Sequence, residues 1–190
     1  MRRTLLALPF ALLPLTIAQA ASHGHDHAHE EHGSLGAHEH GVASLNVALD
    51  GQTLEIQLQS PAMNLVGFEH EAKSDADQAK VAAARQHLEQ PQALFALPIE
   101  ARCALQASAL ESPLFEGAEH AAHEHGDEHG HSDIDASYRF ACANAEALKT
   151  LELGSFFGTF PATEKLEVQL IGPSGQQGAE LTPKQSRLSF

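Results

Sequence analysis

Val42-Ala-Ser-Leu45-Asn-Val47-Ala-Leu49-Asp50-Gly51-Gln-Thr-Leu54-Glu-Ile56-Gln-Leu58-Gln59 is the stretch that decides the fold. Apolar side chains recur at 45, 47 and 49, and again at 54, 56 and 58. A period of two places them on one face of an extended chain and the intervening Asn, Glu and Gln on the other. Asp50-Gly51 between the two runs is a hairpin-turn signal. Ser60-Pro61 closes the second run, because proline has no N–H to give to a strand ladder.

Downstream of the hairpin one helix is expected. Ser74 followed by Asp77 is a capping signal, and Ala76, Val81, Ala84 and Leu88 form an apolar stripe up to Pro91. A short turn follows through 93–97. Further strands are expected at 102–110, 134–142 and 148–153, and C-terminal ones at 165–171, 177–181 and 187–190, with Gly172-Pro-Ser-Gly175 as a turn. Phe156, Phe157 and Phe160 read as core. The fold class expected is α+β: mostly antiparallel β with one flanking helix, an α/β sandwich with one disulfide rather than a βαβ fold.

The first 20 residues read as a secretory signal peptide. Arg2 and Arg3 form its positive end, 5–17 its apolar stretch, and Ala18-Gln19-Ala20 its small-x-small cleavage site. A membrane anchor is the weaker reading, because the run is short and holds Pro9 and Pro14. No later segment is long and apolar enough for stable membrane insertion. A soluble exported protein starting at Ala21 is expected. The two cysteines, Cys103 and Cys142, then pair as a disulfide. The loop closed is about 40 residues, worth roughly 4 kcal/mol on the chain-entropy argument. The other use for such a pair is as two thiolate metal ligands, but neither has a second Cys or a His at ligand spacing.

Lys plus Arg number 11 against 25 Asp plus Glu, a formal charge of -14, and there are 14 His. With no basic stripe to neutralise phosphates, nucleic acid is not an expected partner. Cations are. The histidines are concentrated in two tracts. The first holds His23, His25, His27, His29 and His32 and runs on to His38 and His40; the second, over 116–132, holds His120, His123, His125, His129 and His131. Both are rich in Gly, Ala and acids and lack the apolar residues of a core. They read as a mobile arm over 21–37, preceding one metal-binding domain over 38–190, and a mobile loop at 116–132 within that domain.

Neutral imidazole is a common ligand for zinc, copper and nickel. Alternate histidines on a pliable backbone can wrap one ion, and Asp26, Glu30, Glu31, Glu124, Asp127 and Glu128 add negative field. Such tracts bind several ions weakly rather than one tightly. A more specific set lies at the open end of the hairpin. His38 and His40 point to one face of an extended chain, and Glu69 and His70 follow the second strand. Antiparallel strands bring these together, giving three nitrogens and one oxygen, an acceptable zinc set. The alternative for His70 is an ordinary surface histidine, and His87 reads as a solvated helix residue. Enzyme signatures are absent: the sequence has no HExxH, GxSxG, GxxxxGK[ST] or CxxC. A zinc hydrolase with Glu69 as base is the remaining enzymatic reading, and a weak one.

The exported signal, the tract ending in His38-Glu-His40-Gly41, and Ser60-Pro-Ala-Met-Asn-Leu-Val-Gly67-Phe-Glu69-His70 together resemble ZrgA-type periplasmic zinc-binding proteins. The Cys pair, the His-rich insertion and Phe160-Pro161 are similar too, so the resemblance spans about 37–190. It implies a compact α/β sandwich that binds Zn²⁺ and supports its uptake with an ABC-type importer. It carries the zinc site onto His38, His40, Glu69 and His70. The expectation from the residues alone that competes with it is a His-rich periplasmic buffer or detoxifier of Zn, Ni or Cu with no transporter partner.

Overall fold

A computed structural model describes residues 39–115 and 132–190. Its elements are β1 (Val42–Asp50), β2 (Thr53–Pro61), α1 (Ala62–Val66), α2 (Asp75–Leu88), α3 (Pro91–Leu94), β3 (Cys103–Glu111), β4 (Asp133–Cys142), β5 (Thr150–Glu152), α4 (Gly154–Thr159), β6 (Lys165–Gly172), β7 (Gly175–Leu181) and β8 (Arg187–Ser189). The α+β class and the disulfide are as expected. The signal segment, the arm at 21–37 with His38, and the second tract up to 131 lie outside the described residues.

The β1–β2 hairpin has the alternation read from the sequence. Leu45, Val47 and Leu49 face Leu58, Ile56 and Leu54 in register, and all six are buried. The turn sits one residue later than expected. Asp50 still pairs with Thr53, so Gly51 and Gln52 form the loop. Gly51 has φ +56° and Gln52 a negative φ, the pattern of a type II′ turn, which needs glycine first.

β4 adds to β2 and β3 to β4, both antiparallel, and β6 and β7 extend the sheet on the other side of β1 in the order β3-β4-β2-β1-β6-β7. The sheet is mostly antiparallel, as expected, with one parallel pair. β1 and β6 are parallel, with Val42 opposite Lys165 and Ala48 opposite Ile171. The cause is local: the Gly41 carbonyl accepts from both Glu164 N (2.7 Å) and Lys165 N (2.9 Å), so β6 starts beside the start of β1. The intervening chain is long enough for a parallel return. β5 and β8 form a separate two-stranded sheet.

Helices cover one face of the large sheet. Val81, Ala84 and Leu88 of α2 are buried there, while Ala76, expected in the same stripe, is exposed. Ser74 caps the helix, accepting from Asp77 N at 3.1 Å. Phe156, Phe157 and Phe160 are buried. Phe156 stands 5.3 Å from Phe160 and 6.4 Å from Phe95, centroid to centroid. Tyr138 of β4 reaches across the core to donate to the Leu88 carbonyl at 2.8 Å, which ties the sheet to the end of α2. The other face carries Ser44, Asn46, Gln57, Gln59, Ser137, Arg139, Glu167 and Gln169, all exposed. The polar members of the alternation are thus a solvated face. Cys103 and Cys142 lie directly opposite in the β3–β4 register and are joined by a disulfide. None of the helices among the described residues is long and apolar enough to cross a membrane.

Candidate metal centre

Glu39-His40-Gly41-Val42 is a turn, closed by Val42 N donating to the Glu39 carbonyl at 3.1 Å. Gly41 has φ +86°, a value that suits glycine at the third position of a type II turn. His40 therefore sits at the outer corner of the turn, on a chain whose next residue enters the sheet. The partner side chain comes from the other end of α1. That helix ends at Gly67 (φ +84°), whose N–H returns to the Met63 carbonyl. The left-handed cap turns the chain so that Phe68 enters the core and Glu69 stays half-buried beside the turn.

His40 Nε2 and Glu69 Oε1 lie 3.0 Å apart across 29 residues of sequence, with the imidazole half-exposed and the carboxylate largely covered. The carboxylate can only accept, so Nε2 carries the proton in this contact. Two donors of a tetrahedral zinc site with bonds of about 2.0 Å stand about 3.3 Å apart. The pair is thus close to the spacing a cation needs, and exchanging the shared proton for the ion requires little motion.

His70 does not complete a group of three with them. Among the described residues no three His, Cys, Asp or Glu side chains are placed to hold one ion. The His70 ring stacks on Phe68 at 4.7 Å, and its Nδ1 lies 3.2 Å from the Glu71 carbonyl. A carbonyl only accepts, so Nδ1 is the donor and the neutral ring presents its free lone pair on Nε2. This is the tautomer that second-neighbour carbonyls fix in metal-ligating histidines. His38 lies outside the described residues, as do the ten tract histidines. His87 is exposed on α2, edge-on to Phe160 at 6.2 Å.

The sheet registers gather these features at one end. Pro61 at the end of β2 pairs with Asp133, Glu111 at the end of β3 pairs with Asp135, and Val42 pairs with Lys165. Ala62 N, on α1, donates to the Ser132 carbonyl at 2.8 Å. Glu39 and Ser132, each at an edge of the described residues, are therefore both at the end that holds His40 and Glu69. Lys165 is a cation at that end, beside Glu167 at 2.9 Å and Glu180 at 3.8 Å. Its pKa is raised, first by the hydrogen bond it donates to the Glu167 carboxylate at 2.9 Å; desolvation opposes the rise, and the fields of Glu167, Glu180 and Glu39 add to it.

Sequence reasoning missed Asn64. It is buried at 2 % exposure on α1, accepts from Gly41 N at 2.7 Å and donates to the Val42 carbonyl at 2.8 Å. The available signal was a lone amide inside the apolar run Ala62-Met-Asn64-Leu-Val66.

No curated protein matches the chain. The family described as ZrgA family zinc uptake proteins matches residues 37–190, which takes in the whole sheet, the disulfide and the His40–Glu69 pair. That description is of uptake, a binding and transport task, and not of catalysis. With this much of it matched, the chain belongs to the ZrgA family of zinc uptake proteins.

Proposed function

We propose that the protein captures Zn²⁺ in the periplasm at one ordered site, built from His38, His40, Glu69 and His70, and passes it to an ABC-type importer. The single observation that carries this reading is the His40–Glu69 contact of 3.0 Å, a nitrogen and an oxygen donor held at nearly the spacing zinc requires. The His70 tautomer is the second support. A rotation of that ring off Phe68 is what its joining the pair requires.

The two His-rich tracts act as low-affinity collectors. Their attachment points at the same sheet end favour this, because tethered ligands raise the local concentration of ions near the site without any new contact. The domain then comprises 38–190 with the tract at 116–132 as an insertion, preceded by the arm at 21–37 and a removed signal at 1–20.

One observation favours a second reading. Among the described residues no three ligating side chains converge, which suits a buffer of Zn, Ni or Cu that needs only the tracts. The readings separate by counting ions. The intact chain is titrated with zinc calorimetrically after all ten tract histidines are changed to serine. One tight equivalent that disappears with His38, His40 and His70 changed to Ala supports capture at an ordered site. Absence of any tight equivalent in the tract-substituted protein contradicts it and leaves the buffer.

A further inference from the structure

The Asn64 amide is fixed on three sides. Oδ1 accepts from Gly41 N (2.7 Å), and Nδ2 donates to the Val42 carbonyl (2.8 Å) and to Ser60 Oγ (3.3 Å). Reversing the amide would put its NH₂ against the Gly41 N–H and its oxygen against a carbonyl, so only one orientation satisfies the site. The side chain thereby bonds the backbone on both sides of the Gly41–Val42 peptide. From the opposite side Glu164 N and Lys165 N hold the Gly41 carbonyl. The turn that carries His40 is clamped between α1 and β6, and α1 is also the helix whose left-handed cap delivers Glu69.

We propose that Asn64 is the positioning residue of the zinc site: it locks the Glu39–Val42 turn onto α1, so that His40 faces Glu69 before any ion arrives. This rests on the reading of His40 as a ligand. The benefit is preorganisation, since a ligand already held in place loses little freedom when the ion binds. Partners of this kind are typically worth about 10–100-fold in metal affinity.

The test uses the intact chain with the tract histidines changed to serine, zinc as the probe, and competition of the first equivalent against a chelator of known strength. Asn64→Ala is expected to weaken that equivalent about 10–100-fold, and to add nothing further in a His40→Ala background. Asn64→Ala within about twofold of the parent, while His40→Ala is weak, overturns the positioning role and leaves the ligand reading intact. Equal losses from Asn64→Ala with and without His40 also overturn it, because the residue then acts other than through that imidazole. No loss in His40→Ala overturns the ligand reading and the proposal with it. If Asn64→Ala does not fold, Asn64→Asp replaces it. That change keeps the acceptor for Gly41 and loses the donors. Added negative charge alone would tighten a cation site, so weaker binding supports the proposal and unchanged or tighter binding overturns it.

Discussion

His40 and Glu69 meet at 3.0 Å although 29 residues separate them, and each reaches the contact from a glycine in the left-handed region. Gly41, just after His40, has φ +86°, and Gly67, two residues before Glu69, has φ +84°. The strand alternation sets where the two segments run. The glycines set where their side chains point.

Gly41 is therefore a sensitive position. A side chain there takes up a strained φ, and its Cβ would lie 3.4 Å from the Glu164 side chain. Gly41→Ala is expected to cost about 1–2 kcal/mol, read as a lower denaturant midpoint with unchanged slope. Zinc affinity should fall with it, because relief of the strain means rotating the turn that carries His40.

Zinc binding should depend on pH through competition with protons. An imidazolium has no lone pair to give, and ordinary imidazoles titrate near about 6.5. Affinity is expected to fall between about pH 7.5 and 5.5, measured by competition at constant ionic strength. A flat profile across that window would remove imidazole from the site.

Tyr138 links the sheet to α2. Burial raises its pKa above the unfolded value of about 10. The phenol therefore stays protonated in the fold where the open chain loses its proton. Its contribution is complete below about pH 10 and declines as pH rises toward the folded value. Tyr138→Phe removes the bond to the Leu88 carbonyl and is expected to cost about 1 kcal/mol at neutral pH. The variant should also lose stability less steeply than the parent above about pH 10, as denaturant titrations across that range would register.

The disulfide lies at the other end of the β3–β4 pair from Glu111 and Asp135. Replacing Cys103 and Cys142 by Ala should lower stability by about 2–5 kcal/mol and leave the affinity of the first zinc equivalent unchanged. A loss of zinc in a variant that still folds would show that the thiols, not the imidazoles, carry the metal.

Much of this architecture was legible in the sequence because its signals are local. Leu45, Val47 and Leu49 against Leu54, Ile56 and Leu58 announce a two-faced hairpin, and Ser74 with Asp77 announces the start of α2. The parallel pairing of β1 and β6 was not legible, since it depends on a carbonyl at Gly41 meeting N–H groups more than a hundred residues away. Helices α1 and α4 were missed because five or six residues are too few for a 3.6-residue period to show. At the site, the open end of the hairpin puts His40 and Glu69 on neighbouring segments, and the two side chains are 3.0 Å apart. Hairpin geometry did not fix the direction of His70, which the Gly67 cap and the stacking on Phe68 decide. Asn64 escaped because a single buried amide has no pattern; its role exists only in the bonds it makes to Gly41 and Val42.

The most direct measurement is X-ray absorption at the zinc edge of the tract-substituted protein loaded with one equivalent of zinc. The expected spectrum shows a nitrogen and oxygen shell with imidazole scattering and no sulfur, and it loses part of that imidazole signal in His40→Ala. A shell unchanged by His40→Ala would contradict an ordered site built on the His40–Glu69 pair.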